Sequence, residues 1–189
     1  MSERVHPLAK FSFCPVCGSK LWVVNNFKSK RCESCGFVYY GNPSAANVAL
    51  ILNEHDELLV VRRKQEPAKG TLDLPGGFTD MGETGEEGVI REVLEETGLH
   101  VTRADYLFSI PNLYRYSDMD IHTLDMFFRC RVSDTSSATA MDDAEEALWI
   151  PVNELHPDEF GLRSVRKGLI RFLERENEGT RERENRSNS

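Results

Sequence analysis

Three glutamates, Glu92, Glu95 and Glu96, stand within five residues of one another, shortly after a glycine-rich run that opens at Gly76-Gly77. Mg2+ takes carboxylate oxygens and keeps several waters for substrate phosphates, so such a cluster offers the chemistry of a hard-cation site. The plain alternative is a solvated acidic face. As helix design the cluster is poor, because like charges at i,i+4, as at Glu92 and Glu96, cost about 0.2–0.5 kcal/mol. Glu95 and Glu96 also fall where a helix dipole favours cations. Both readings stand at this point.

The second donor set is sulfur. Cys14-Pro15-Val16-Cys17-Gly18 and Cys32-Glu33-Ser34-Cys35-Gly36 are two C-x2-C-Gly knuckles, with fourteen residues between Cys17 and Cys32. Four thiolates so arranged suit tetrahedral Zn2+. A glycine after each second cysteine lets the backbone turn sharply there. Two disulfides are the other use of four cysteines, and they fit poorly with an intracellular chain. The fifth, Cys130, reads as a buried structural thiol.

These donors need elements to hold them. Thr84 and Glu87 have the S/T-x-x-E spacing of a capping box, which predicts a helix starting near Gly85. Gly98 can close it in the left-handed conformation. At about 100° per residue, Ile90, Val93, Leu94 and Thr97 fall on the expected core side. Glu92, Glu95 and Glu96 fall roughly opposite, with Gly88 among them as a position with room for a ligand. Leu21–Val24 and Phe37–Tyr40 are the expected strands around the cysteines. A unit below about 40 residues usually needs a metal or disulfides. Gly41-Asn42-Pro43-Ser44 is the turn-rich domain boundary.

Further along, residues 46–52 and 57–63 read as a β-hairpin across Asn53–Asp56. Arg62 and Arg63 at its end, followed by Lys64, could neutralise substrate phosphates or form a solvated strand end. Short strands are expected at Val101-Thr102 and Tyr106–Ile110, a longer one at Ile121–Val132, and another at Ala147–Ile150. Asp142 to Glu146 precede that last strand as an acidic run. Ser164–Leu173 has apolar residues at helical spacing. Residues 175–189, nearly all charged or polar, are expected to be a disordered tail.

The 189 residues allow one ordinary domain plus a small attachment, with a hydrophobic fraction of 40%. No apolar run approaches the ~18–20 residues that span a membrane, and residues 1–7 lack the apolar region of a signal peptide. A cytosolic protein is the expectation. The net charge of −8 argues against a general nucleic-acid binder. Its distribution is uneven: residues 1–40 carry six Lys and Arg against two Glu, a net of +4, which leaves −12 for the remainder.

The spacing G-x5-E-x7-R-E-U-x-E-E-x-G-U, with U aliphatic, resembles the Nudix box. Gly77, Glu83, Arg91, Glu92, Val93, Glu95, Glu96, Gly98 and Leu99 fill every specified position. The resemblance implies a hydrolase of a nucleoside diphosphate linked to another group, on an α/β/α sandwich with a mixed sheet. It implies Glu92, Glu95 and Glu96 as ligands of Mg2+ or Mn2+, with a carbonyl of Gly76 or Gly77 added. Glu83 and Arg91 would pair to hold the loop against the helix. A glutamate just ahead of the last strand commonly completes such a site or serves as base, and Glu146 fits that place, with Glu145 next to it.

The cysteine segment resembles a zinc ribbon. The implied organisation is a ribbon at 1–40, a Nudix domain at 41–174 and the tail. A ribbon before a Nudix domain is similar to the NADH pyrophosphatase branch, whose marker after the box is S-Q-P-W-P-F-P-x-S. Ser109, Pro111 and Ser117 match here and Tyr114 supplies an aromatic, while the Gln, the Trp and two prolines are missing. NAD(H) and ADP-ribose are therefore both candidate small-molecule substrates. Tyr114 or Tyr116 could stack on a base, or be half-buried strand aromatics. Two other functions compete: removal of a nucleotide cap from RNA 5′ ends with the +4 segment guiding the strand, and a non-catalytic nucleotide sensor. Trp22, Phe37, Tyr39 and Tyr40 are more aromatic surface than a ribbon buries alone, which predicts a symmetric homodimer.

Overall fold

The structure is a computed structural model describing residues 5–142 and 144–187, with side chains described through residue 176 and at residue 178. The chain forms two compact units, Met1–Ser44 with Leu113–Thr123, and Ala45–Asn112 with Leu124–Ser189. The hairpin tip at 113–123 thus groups with the N-terminal segment, which no local pattern indicated.

In the first unit, β1 (Trp22–Asn26), β2 (Ser29–Cys32) and β3 (Val38–Tyr40) form an antiparallel sheet in that order. The outer strands match expectation. The middle one, Ser29-Lys30-Arg31-Cys32, carries no apolar run and had no strand signal. Register pairs Trp22 with Cys32 and Lys30 with both Val24 and Tyr39, and directly paired residues share a face. On that face Cys14, Trp22 and Cys32 are buried with Phe37 against them. The Trp22 and Phe37 rings stack at 6.1 Å, and Phe37 stacks on Tyr39 at 6.4 Å. The unit therefore buries part of the aromatic surface that seemed in excess.

Mostly within the second unit, β4 (Ser44–Ile51), β8 (Met119–Val132) and β7 (Val101–Tyr116) form one sheet, in the order β4-β8-β7. A second sheet has the order β6-β5-β9, with β5 at Glu57–Arg63, β6 at Leu72–Asp73 and β9 at Ala144–Pro151. The helices are α1 (Gly85–Thr97) and α2 (Arg163–Ser187). Successive residues of β4 feed two cores. Val48 and Leu50 pack in the cluster with Phe127, Val165, Leu169 and Phe172, so α2 covers that side. Ala49 and Ile51 pack with Val89, Val93 and Phe128, so α1 covers the other. Strands buried on both faces read as continuous apolar runs rather than alternating ones. Gly168 lets α2 approach closely, since a Cβ there would overlap the Phe127 ring.

Three expectations change. β4 and β5 exist but lie in different sheets, joined by a bridge between Leu52 and Leu58. Each apolar strand pairs instead with a strand distant in sequence, β4 with β8 and β5 with β9. The two short strands at Val101 and Tyr106 are one 16-residue strand, continuous through the polar Arg103 and Asp105. Residues 175–187, expected to be disordered, continue α2; residues 188–189 lie outside the described residues. Arg and Glu are good helix formers without being apolar, Arg129 pairs with Glu176 at 2.9 Å, and the Arg175 guanidinium sits 5.1 Å over the Phe108 ring. No described helix is long and apolar enough to cross a membrane.

Candidate active site

The helix that carries the glutamates is set by its own ends. Thr84 caps α1, its side chain accepting from the Glu87 amide while the Glu87 carboxylate accepts from the Thr84 amide. Gly98 closes the helix at φ 71°, its amide donating to Leu94. Which side faces inward differs from expectation. Gly88, Val89, Val93 and Thr97 are buried, whereas Ile90 and Leu94 are exposed. The inward stripe is thus rotated toward the glutamates. Glu92 keeps only 14% of its side-chain surface.

The glutamates meet the glycine loop, and the loop lies along β4. Ala49 N–H donates to Pro75 O at 2.8 Å, Asn47 N–H to Gly77 O at 2.7 Å, and Thr79 N–H to Ala45 O at 3.1 Å. Against this ladder, the Gly76 amide donates to the Glu96 carboxylate at 2.9 Å. A Cβ at Gly77 would stand 2.5 Å from a Glu92 oxygen. Gly77 therefore has to be bare for Glu92 to rest on the loop. Its carbonyl, proposed above as a ligand, already accepts from Asn47 and keeps one further lone pair.

Arg91 ties the acids together. It donates through Nε to Glu83 at 2.8 Å, through Nη1 to Glu92 at 2.9 Å and Glu95 at 3.0 Å, and through Nη2 to the Phe78 carbonyl at 3.0 Å. The Arg91 bonds, with help from the Asp80 amide, hold Glu83 below the usual carboxylate range. Burial pushes Glu92 above it, against the pull of Arg91. Two acids on one guanidinium are thus shifted in opposite directions, because burial outweighs the pull of Arg91 at Glu92 and does not at Glu83.

Gly88 offers no room for a ligand. The Asn47 side chain, reaching in from β4, occupies the space where a Cβ would go. Sequence reasoning missed Asn47. The available signal was an amide beside four apolar residues, Val48 to Ile51.

Arg62, Arg63 and Glu146 have intrachain partners. Arg62 and Glu146 are cross-strand partners of β5 and β9, with Nε 2.8 Å from the carboxylate. Arg62 also donates to Gly70 O and Arg63 to Pro67 O. Arg63 pairs with the buried Asp73 and is largely buried itself. It is therefore less available to a phosphate than a strand-end arginine would be. β9 packs against α1, and the exposed Glu145 falls at the register shift between the Arg62–Glu146 and Arg63–Ala144 pairs. Tyr114 and Tyr116 belong to the first unit, where their rings stack on each other at 6.5 Å.

The four thiols of the first unit are gathered. Cys14 and Cys35 sulfurs are 3.7 Å apart, and Cys17 and Cys32 sulfurs 3.6 Å. No disulfide joins them. A tetrahedron with metal–sulfur bonds of about 2.3 Å has edges of about 3.8 Å, so the donor set and its size fit zinc. Among the described residues this is the one group of three or more His, Cys, Asp or Glu with ligand atoms all within 4.8 Å; Glu92, Glu95 and Glu96 are less closely drawn. Burial works against a Cys32 thiolate, but amides of Cys35 and Ser34 outweigh it and bring the thiol to about 6. The Ser19 amide favours a Cys17 thiolate, yet the neighbouring sulfurs and burial prevail and push it up to about 12.

Comparison with known proteins settles the family. A family model described as the NUDIX domain matches residues 41–172. The chain belongs to this family. Among its relatives is an ADP-ribose pyrophosphatase of Methanocaldococcus jannaschii, 32% identical over 174 residues, which cover 87% of this chain and 98% of that protein. An NAD-capped RNA hydrolase NudC of Vibrio parahaemolyticus is 28% identical over 152 residues, 80% of this chain and 55% of that protein. The chain spans about half the length of the NudC relatives it matches. A crystal structure of a NUDIX hydrolase from Nitrosomonas europaea superposes with a TM-score of 0.68 over 89% of this chain and 93% of that one, at 23% identity, which speaks to the fold alone. The chain is a Nudix hydrolase, and its Nudix box is the glycine loop with α1.

Proposed function

We propose that this Nudix hydrolase cleaves the diphosphate of a small ADP-ribose-type nucleotide, with Mg2+ or Mn2+ held by Glu92, Glu95 and Glu96. The observation that carries the reading is where the acids lie. Glu92 rests on Gly77 and Glu96 on the Gly76 amide, so carboxylates are turned toward backbone and away from open water. Burying a carboxylate is costly unless a cation or donors compensate it. A divalent cation bound there would neutralise the adjacent charges of the diphosphate and stabilise the leaving phosphate.

The chain's own residues do the rest. Glu83 orients Arg91, and Arg91 orients Glu92 and Glu95. The Gly77 carbonyl has a lone pair left for the cation. Glu146, oriented by Arg62, is the candidate base that takes a proton from the attacking water as it approaches phosphorus in line. The four cysteines hold a structural Zn2+ in a ribbon ahead of the Nudix domain, and the protein is a homodimer of the cytosol.

ADP-ribose ranks first because the relative of that name is matched over nearly its whole length, while the NADH marker is only partly kept. A second reading, NAD-capped RNA, is favoured by the NudC matches and the +4 charge of residues 1–40. The deciding experiment is magnesium-dependent release of AMP from ADP-ribose, NADH, NAD, diadenosine polyphosphates and NAD-capped RNA. ADP-ribose is expected to be cleaved fastest. Faster cleavage of capped RNA selects the second reading. No cleavage of any substrate, with either metal present, overturns both.

A further inference from the structure

Asn47 is out of character with its strand. Val48, Ala49, Leu50 and Ile51 beside it are apolar and buried, and Asn47 is just as deep, at 1% exposure. A buried amide destabilises unless its polar atoms are bonded. Here one end is bonded, Nδ2 donating to Thr79 Oγ1 at 3.0 Å. The other, Oδ1, is buried without a hydrogen-bond partner. Stability alone favours an apolar side chain at this position.

What the residue touches explains it. Its amide N–H donates to Gly77 O at 2.7 Å, and its side chain holds Thr79. A Cβ at Gly76 would overlap its carbonyl, and Gly76 has φ 152°. A Cβ at Gly88 would overlap Nδ2. One residue therefore bears on the glycine loop at three points and on α1 at a fourth. Gly88 stands about one helical turn before Glu92 and two before Glu96. How closely α1 sits on Asn47 at Gly88 governs how closely those two carboxylates meet Gly77 and Gly76.

We propose that Asn47 is a positioning residue of the carboxylate site: an amide spacer from β4 that holds the glycine loop and α1 at the separation where Glu92 rests on Gly77 and Glu96 meets the Gly76 amide. It acts through those neighbours and touches no reacting atom. The inference rests on the reading of Glu92 and Glu96 as metal ligands.

The test measures Mn2+ affinity of the whole protein by electron paramagnetic resonance, beside thermal melting of the metal-free form and the magnesium dependence of turnover. Asn47→Ala should weaken Mn2+ binding about tenfold, the scale of residues that orient ligands, with little change in melting temperature. Thr79→Val, which leaves the core strand alone, should shift affinity the same way by less. Gly88→Ala should also weaken binding, and combining it with Asn47→Ala should restore part of the loss, because the methyl then fills the space the amide left. Unchanged Mn2+ affinity in both Asn47→Ala and Thr79→Val overturns the inference, as does a loss that merely follows falling melting temperature. Glu92→Gln and Glu96→Gln are the controls. If they weaken Mn2+ binding and Asn47→Ala does not, only this inference fails; if they do not, the metal-site reading fails and takes this one with it.

Discussion

The sulfur set and the oxygen set are held in opposite ways. Each cysteine knuckle is a local device. Gly18 N–H donates to Cys14 O and Gly36 N–H to Cys32 O, both at 2.9 Å, while Cys14 N–H donates to Ser19 O and Cys32 N–H to Phe37 O. The same two bonds recur at the same offsets, so each knuckle is shaped by about six consecutive residues. The acids depend on distant chain: β4 supports the loop, the loop supports Glu92 and Glu96, and Glu83 reaches eight residues along to fix Arg91. A site made of local turns can still fail as a whole if its ion leaves, because little apolar core lies behind it. Buried hydrophobics in its core are Cys14, Trp22 and Cys32. A site mounted on two large cores keeps its frame when the ion leaves. Loss of metal should therefore unfold one region and only silence the other.

The largest effect expected is on turnover. Glu96→Gln should lower kcat at least about a hundredfold, since a cation's charge stabilisation of the transition state is worth several kcal/mol and each 1.36 kcal/mol is tenfold. The frame should survive, because glutamine can still accept from the Gly76 amide, and one i,i+4 repulsion with Glu92 is relieved. Metal-free melting should be unchanged or slightly higher. A variant with near-normal kcat would show that the acids are not the metal site.

The next effect is on folding, and it falls in the other region. Cys17→Ser leaves three thiolates and a hydroxyl, a poor zinc set. Zinc content should drop below stoichiometric, and tryptophan fluorescence should report loss of the Trp22–Phe37 stack. Turnover should fall far less than in Glu96→Gln. Stoichiometric zinc in Cys17→Ser, or none in the parent protein, would break the contrast. Chelation followed by light scattering extends it: if the ribbon supports a homodimer, mass should halve as zinc leaves.

Much of this was legible in the sequence where the cause is local. The capping box at Thr84 and Glu87, the left-handed Gly98 and the paired knuckles each depend on a few adjacent residues, and each was expected where it occurs. What failed was decided from a distance. Ile90 and Leu94 have the spacing of a core face, but Asn47 lies over Gly88 and turns that side of α1 inward. Arg62 and Arg63 read as strand-end cations, and their ion pairs with Glu146 and Asp73 could not be seen because those partners come from other strands. β2 gave no strand signal because Ser29 and Lys30, polar by type, are buried in it between β1 and β3, so its burial does not show as an apolar pattern. The α2 extension was hidden for a related reason, its long-range partners being Arg129 and Phe108.

The smallest expected effect concerns acid stability, and it separates the two acids that share Arg91. Glu83 has its folded value depressed from about 4.5 by Arg91 and the Asp80 amide. An acid of this kind binds protons more readily in the unfolded chain, so its stabilisation is present above about 4.5 and is lost as pH falls through the folded value. Glu92 has its folded value raised from 4.5, by burial. It binds protons more readily when folded, so its contribution has the other sign: the metal-free protein loses stability as pH rises from 4.5 through the folded value. Glu83→Gln should therefore lower the melting temperature at neutral pH and flatten its decline below 4.5. Glu92→Gln should raise it at neutral pH and flatten the change just above 4.5. Both shifts should be a few degrees at most, because Glu83 is partly solvated and Arg91 retains other partners. Melting curves of the two variants across that range, taken without divalent metal, check the signs. Parallel curves would mean that Arg91 treats both acids alike and that Glu92 is not sheltered as its packing on Gly77 requires.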